Sequence, residues 1–317
     1  LDFSAVEVLN ITRVEGGNGH DVIIGGKGLA EYDGGGDNDT IVGTAVDDLI
    51  TGGTGENSLD GGAGNDTFIS THGAYDSIKG GDGFDQLLGS ESDDVLGLNY
   101  IDGLERIDGG AGANVLRGSG RSNTLDFSAV EVLNITRVEG GNGHDVIIGG
   151  KGLSEYDGGG NNDTIVGTTA DDSIRGGTGN DYLTGGAGSD TYHYSDGDGS
   201  DLITNHSATG SLESEIDQLD FSSFDKGDLW FSQSGNDLVI DLVGNSGKVT
   251  VDDWYLGDDY KLDQVNSGGE SVSIEGIEQL VAAMAVFGAA QGGELELSDD
   301  QRNQVDQVIA SSWQSTA

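Results

Sequence analysis

Along residues 16–69 one large apolar side chain returns at every ninth position, as Ile23, Tyr32, Ile41, Ile50, Leu59 and Phe68, with mostly glycine and polar residues between. The spacing recurs over 140–193 with Ile147, Tyr156, Ile165, Ile174, Leu183 and Tyr192. A period of nine is neither helical nor that of a long strand. It fits a three-residue strand with its middle side chain inward, followed by a tight turn, repeated. Two such units make one coil with turns on opposite sides, and coils stack at strand spacing, ~4.8 Å. From Asn205 the period stops. Residues 228–255 alternate apolar and polar positions around the turn signals "SGND" and "GNSG", which predicts an antiparallel meander. Ile274, Ile277, Leu280, Val281, Met284 and Phe287 then recur at helical spacing. A second helix is expected from Ser298, with Gln301 as capping-box partner, Asp299 and Asp300 in its first turn, and Val305, Val308, Ile309 and Trp313 as its apolar stripe.

The repeats have phase and a higher order. Nonapeptides start at Gly16, Gly25, Gly34, Gly43, Gly52 and Gly61 and, after the inserted Ser70, at Thr71, Gly80 and Gly89. A second array starts at Gly140, Gly149, Gly158, Gly167, Gly176 and Gly185. A last unit follows at Asp196 after the inserted Tyr194 and Ser195. Residues 1–29 and 125–153 are identical, so the chain carries a duplication. Between the arrays, 98–108 and 127–139 are richer in β-branched residues and read as strand-bearing coils without glycine triplets. Four segments are therefore expected: a first block over 1–97, linking coils over 98–139, a second block over 140–204, and a capping segment over 205–317. The chain starts inside a repeated unit, which suggests a piece of something longer.

Composition sharpens this picture. Acidic residues number 57 against 13 basic ones, a net charge of -44, with 58 glycines and neither proline nor cysteine in 317 residues. Such charge argues against nucleic acid and anionic membranes as partners and favours multivalent cations. The acids recur at regular intervals rather than as a disordered tail. Without cysteine there is no disulfide framework and no thiolate site. No run of 18 apolar residues exists, so no transmembrane helix is expected.

The chemistry lies in the turns. Each unit reads Gly-Gly-x-Gly-x-Asp-x-apolar-x. Glycines at the first, second and fourth positions allow positive φ and expose main-chain carbonyls. These are Gly16, Gly17 and Gly19; Gly61, Gly62 and Gly64; Gly80, Gly81 and Gly83; Gly140, Gly141 and Gly143; Gly176, Gly177 and Gly179; and Gly185, Gly186 and Gly188. The sixth position adds a carboxylate, and hard oxygens in a flexible cage suit Ca2+ better than Mg2+. A repeat then lies under the next but one, so cation sites are expected between Asp21 and Asp39, Asp48 and Asp66, Asp66 and Asp85, and Asp76 and Asp94. In the second array they are expected between Asp145 and Asp163, Asp163 and Asp181, Asp172 and Asp190, and Asp181 and Asp201. Ala30 and Ser154 replace the aspartate, which weakens their sites. Asn57, Asn114 and Asn123 keep an oxygen without charge. Asp37 and Asn161 replace the fourth glycine, which puts the turn shape there in question. The core is too thin for the roll to form without the cation, whose binding energy becomes folding energy.

In this motif, repeated in phase over about half the chain, the protein resembles the RTX family of calcium-binding repeat proteins. The resemblance implies an all-β, right-handed parallel β-roll binding multiple Ca2+ ions, closed by an antiparallel β cap and one or two short helices. The segments "GDLWFSQSGNDLVI", "VTVDDWY" and "IEQLVAAMAVF … VIASSWQ" look like the cap and secretion signal of giant adhesins exported by type I machinery from Gram-negative bacteria. That implies a secreted or cell-surface, monomeric module that crosses the envelope unfolded and folds outside, where calcium is millimolar. Two other readings stand beside it: the tail of an exported lipase, protease or epimerase, and a calcium-dependent surface-layer or matrix scaffold. No catalytic constellation is found. H-E-x-x-H and G-x-S-x-G are absent, "IIGGKG" fails as a phosphate loop, His20 and His144 read as solvent-facing turn residues, and Trp230, Trp254 and Tyr255 read as packing.

Overall fold

The computed structural model describes residues 1–70, 74–206, 215–221, 223–287 and 298–315; the start of the unit at Thr71 lies outside them. The chain divides into two compact units, Leu1–Glu155 and Tyr156–Ala317.

The first unit is a parallel β-solenoid. One sheet stacks seven strands: Arg13–Asn18, Glu31–Gly36, Leu49–Thr51, Thr67–Ile69, Gln86–Leu88, Arg106–Asp108 and Glu131–Leu133. Its register steps by 18 residues, two nonapeptides, over the first three pairings, so Tyr32 lies on Ile50 and Ile50 on Phe68. The opposite sheet stacks Val22–Ile24, Thr40–Thr44, Ser58–Ala63 and Tyr75–Asp82, aligning Ile23, Ile41, Leu59 and Ile78. Each of these eighth-position side chains is 0–2% exposed. In the nonapeptide coils a single file of side chains per sheet makes up most of the core, with Leu29 added at a turn. The linking segment continues the coil through Val95–Asp102, Arg106–Asp108, Asn114–Gly118 and Thr124–Asp126 with Ile107, Leu116 and Leu125 fully buried.

In the second unit the same stacking runs from Thr164–Val166 through Tyr182–Thr184 to Ser200–Ile203, and from Ser173–Thr178 to Thr191–His193. The expected meander is present as the antiparallel pairs Leu229–Ser234 with Asp237–Leu242 and Asp237–Leu242 with Lys248–Val251. Its third strand has a second role: Lys248–Val251 lies parallel on Ser200–Ile203, the last coil. Gln218–Asp220 and Gln264–Ser267 extend the other sheet in the same way. The cap is thus stacked on the roll in its own register.

Two helices cover the meander. α1 (Ile274–Met284) buries Ile277, Leu280, Val281 and Met284. The Met284 sulfur accepts the Phe231 N–H at 3.1 Å. Phe287 falls just beyond the helix. α2 (Asp299–Ser312) opens with the expected capping box between Ser298 and Gln301 and buries Val305 and Ile309; Trp313 is its buried C-cap. Trp254 and Tyr255 leave the strand pattern for a 3-10 turn, Trp254–Leu256. Trp254 is fully buried and Trp230 nearly so, which makes them packing groups. Among the described residues no helix is long and apolar enough to cross a membrane.

Candidate metal centre

The turns between strands place the sixth-position aspartates in columns. Within a column each aspartate donates its backbone N–H to the carboxylate of the next coil. Asp21 donates to Asp39 Oδ1 at 2.8 Å, Asp48 to Asp66 at 2.8 Å, and Asp66 to Asp85 at 2.7 Å. In the second unit Asp163 donates to Asp181 at 2.7 Å, Asp172 to Asp190 at 2.9 Å, and Asp181 to Asp201 at 3.0 Å. These six pairs match the spacing read from the sequence. Asparagine holds the place sterically: Asp39 donates to Asn57, Asn57 to Asp76, and Asp94 to Asn114.

One pairing differs. Asp76 lies opposite Leu98, not Asp94, because the register between Tyr75–Asp82 and Val95–Asp102 advances by 22. Asp94 instead precedes the segment that lies on Val115–Gly118. The eighteen-residue rule breaks where the coil itself lengthens.

The column also extends beyond the glycine motif. Asp85 donates to Glu105 Oε2, Asp190 to Asp217 Oδ1 at 2.9 Å, and Asp217 to Asp263 Oδ2 at 2.8 Å. Glu105, Asp217 and Asp263 carry no Gly-Gly-x-Gly before them. What they retain is an acid-x-apolar tripeptide, Glu105-Arg106-Ile107, Asp217-Gln218-Leu219 and Asp263-Gln264-Val265. That three-residue pattern would have found them.

The second carboxylate oxygen separates two kinds of turn. In the full Gly-Gly-x-Gly turns, the Oδ2 atoms of Asp21, Asp66, Asp85, Asp181 and Asp190 are buried with no hydrogen-bond partner. So is Oδ2 of Asp39, where Asp37 stands for the fourth glycine. A buried oxygen left unpaired costs roughly 1–3 kcal/mol, more when charged. In the turns with threonine or serine at the second position that oxygen is engaged. Thr44 gives Asp48 Oδ2 its N–H at 2.6 Å and its hydroxyl at 2.9 Å, and Thr168 does the same for Asp172. Ser90 N–H donates to Asp94. These turns close on that oxygen, although Oδ1 of Asp48 is itself buried without a partner.

The first glycine of each turn lines the space beside the orphaned oxygen. A Cβ added at Gly16, Gly34, Gly61 or Gly80 would come within 3 Å of both that oxygen and the carbonyl of a residue on the next coil. Gly176 and Gly185 are placed against the orphaned oxygens of their own aspartates, while Gly167 lies as close to Asp172 Oδ2, the oxygen that Thr168 engages. The space beside the first glycine is a cradle of carboxylate and carbonyl oxygens with no room for a side chain. Gly62 and Gly64 carry φ of 103° and 118°, which turns the chain around it. Asp37 and Asn161 take φ of 72° and 76°, so the turn survives there, in a region asparagine and aspartate tolerate.

Burial opposes ionisation in these columns. Loss of solvation is the largest influence, offset in part by the donated N–H and reinforced by neighbouring carboxylates. It raises Asp66, Asp76, Asp145, Asp172 and Asp181 to about 6, Asp190 to about 7 and Asp201 to about 8. Asp39, Asp48, Asp85 and Asp163 are also buried, and burial raises the first three. At the aspartate-free turns the fifth residue, Leu29 or Leu153, is buried. His20 and His144 are exposed. The donor set is all oxygen, carboxylate and carbonyl, without nitrogen or sulfur. Buried, unpaired and anionic, it fits a hard divalent cation. In the cap, Asp237, Asp252 and Asp253 also bring carboxylate oxygens within 4.8 Å of one another at half-buried positions.

A family model of the repeat agrees with the geometry. The model of the RTX calcium-binding nonapeptide repeat family (4 copies) matches residues 12–28, 33–68, 76–98, 101–127, 136–152 and 157–192. Among solved structures the chain is similar to the extracellular lipase LipA from Serratia marcescens, at 20% identity and a TM-score of 0.27. That match covers 67% of this chain and spans 37% of the lipase chain.

Proposed function

We propose that this chain, which carries the calcium-binding nonapeptide repeats of RTX proteins, is a module that is unfolded at low calcium and folds on Ca2+ outside the cell. It would serve as the secretion and folding segment of a larger exported protein, an adhesin in the reading the order of its parts favours. One observation carries the proposal. Buried carboxylate oxygens without partners recur on stacked turns, each beside a first glycine where a Cβ would clash with that oxygen. Asp21, Asp39, Asp66, Asp85, Asp181 and Asp190 would hold ions through those oxygens, together with carbonyls of the flanking turns. Asp76, Asp94, Asp145, Asp163 and Asp201 fall in the same columns. Bound Ca2+ would supply the positive charge that an ionised column lacks. The residues supply the rest: stacked N–H donors fix the carboxylates, and the glycines hold the turns open.

The cap supports a directional version of this mechanism. Lys248–Val251 and Gln264–Ser267 present complete strands in the register the last coils need. A chain threaded out from that end would offer the cap first as a template, and each coil laid on it would oppose return.

Circular dichroism during calcium titration, with export measured in parallel, tests both parts. The wild-type chain is expected to gain β signal at millimolar calcium. The pair Asp181→Ala and Asp190→Ala is expected to raise the calcium midpoint about tenfold, ~1.4 kcal/mol, and to slow export. Full β structure in chelator would overturn the folding proposal, and unchanged secretion of the double variant would overturn the directional one.

A further inference from the structure

The duplication allows the molecule to be compared with itself. Residues 1–29 and 125–153 have one sequence but two environments. Leu125 is 0% exposed while Leu1 is 60% exposed, and Val130 is 6% exposed while Val6 is 53%. Leu9 and Ile11 are exposed; their counterparts Leu133 and Ile135 are half-buried. The backbone does not differ to match. Asn10 and Asn134 share the left-handed conformation, at φ of 61° and 55°, and Glu7 bridges Lys27 as Glu131 bridges Lys151. The first copy is already shaped as a coil, with its outer face open.

What covers the second copy is on view in the same unit. Arg106–Asp108 lies parallel on Glu131–Leu133, with Ile107 on Val132. Asn114–Gly118 lies on the strand from Ile135, with Leu116 on Val138 and Arg117 on Glu139. The polar contacts are specific. Arg117 Nε donates to Glu139 Oε2 at 2.5 Å, and Asn134 Nδ2 donates to Asp108 Oδ1 at 2.7 Å. The Asn123 N–H donates to Asp145 Oδ1 at 2.6 Å, adding a rung to the carboxylate column. In the first copy the matching groups are Glu15, Asn10 and Asp21. The Glu139 side chain is 19% exposed between two arginines, whereas that of Glu15 is 67% exposed with Arg13 alone. Arg13–Asn18 is the outermost strand of its sheet, a row of open main-chain groups ready to pair.

We propose that the outer face of residues 1–22 is a docking surface for one further parallel β coil of the chemistry of residues 103–124. Such a coil carries an apolar side chain over Val8 and another over Val14. It places an arginine over Glu15, a carboxylate that accepts from Asn10 Nδ2, and a main-chain N–H over Asp21. The inference rests on the fold and the duplication, not on the calcium reading.

The test joins a second copy of residues 86–124 directly ahead of Leu1 of the full chain, recreating the junction that Thr124 makes with Leu125. Hydrogen exchange is followed in Arg13–Asn18, with Ile135–Asn142 as internal reference. Docking is expected to slow exchange of the first strand at least tenfold, towards the reference. Glu15→Arg in the extended chain is expected to lose part of that protection, and Arg117→Glu in the grafted copy combined with Glu15→Arg to restore it. Unchanged exchange in Arg13–Asn18, or a graft that exchanges as free chain, overturns the proposal. So does protection of the unextended chain that grows with its concentration alongside a dimer mass, because a second copy would then be the occupant.

Discussion

The first glycine of each turn is the residue with the least freedom to change. At Gly61 a Cβ would sit 2.7 Å from the Gly80 carbonyl and closer still to Asp66 Oδ2, both fixed by the coil. Gly61→Ala is therefore expected to raise the calcium midpoint of folding about tenfold, ~1.4 kcal/mol. Gly120→Ala, with open space around it, is expected to leave the midpoint unchanged in the same titration. The aspartates make a prediction with a sign. Burial raises the carboxyls of Asp66, Asp76, Asp145, Asp172 and Asp181 to about 6, Asp190 to about 7 and Asp201 to about 8 in the cation-free fold, against ~3.9 in an unfolded chain. The fold then binds more protons than the unfolded chain between those values, so cation-free stability falls as pH rises from about 4 to about 8. In chelator, acidification from pH 8 to pH 5 is expected to strengthen the β signal. Calcium, which must displace those protons, is expected to bind at lower concentration as pH rises through the same window. A chelated sample whose β signal is flat across that range would refute the assignment of burial as the cause.

At the scale of the coil, the two kinds of turn are expected to respond differently. Thr44→Val removes the hydroxyl that donates to Asp48 Oδ2, so about 1 kcal/mol of stability should be lost with little shift in calcium midpoint. Asp217→Ala removes the acceptor of the Asp190 N–H and of Asn205 Nδ2, both at 2.9 Å, where the cap joins the last coil. Its expected effect is a loss of roughly 1–3 kcal/mol in a calorimetric melt at saturating calcium. These elements also show what was readable beforehand. The eighth-position residues, from Ile23 to Tyr192, announced the inward strands of the two nonapeptide arrays because one residue in nine has no substitute in so thin a core, whereas Ile107 and Val132 lie outside that period. Ser298 and Gln301 announced α2 because a cap is a local device. Asp217 and Asp263 were hidden because their turns lack the glycines, although the column needs only their carboxylates. The Asp76 and Asp94 pairing differs because the coil that ends in Val95–Asp102 is 22 residues long, which counting in nines does not reveal.

For the molecule as a whole, a charge of -44 on 317 residues makes the compact state self-repelling, a repulsion that bound cations would relieve. Chelation is expected to expand the chain, read as a larger hydrodynamic radius, with loss of β signal. Magnesium at equal ionic strength is expected to fail to restore it, since it surrenders its water reluctantly and demands a stricter octahedron than these turns offer. Sodium chloride would screen the repulsion and reduce the radius without rebuilding the strands.

Residue 125 restarts the text of residue 1 without a single change for 29 positions. Where the coding DNA repeats as closely as the protein, unequal exchange between the two copies would add or remove one whole period. The lengthened product would reproduce the existing step from Thr124 to Leu125 at its new junction. A lineage could thus lengthen or shorten this array in a single recombination event without having to invent a new contact.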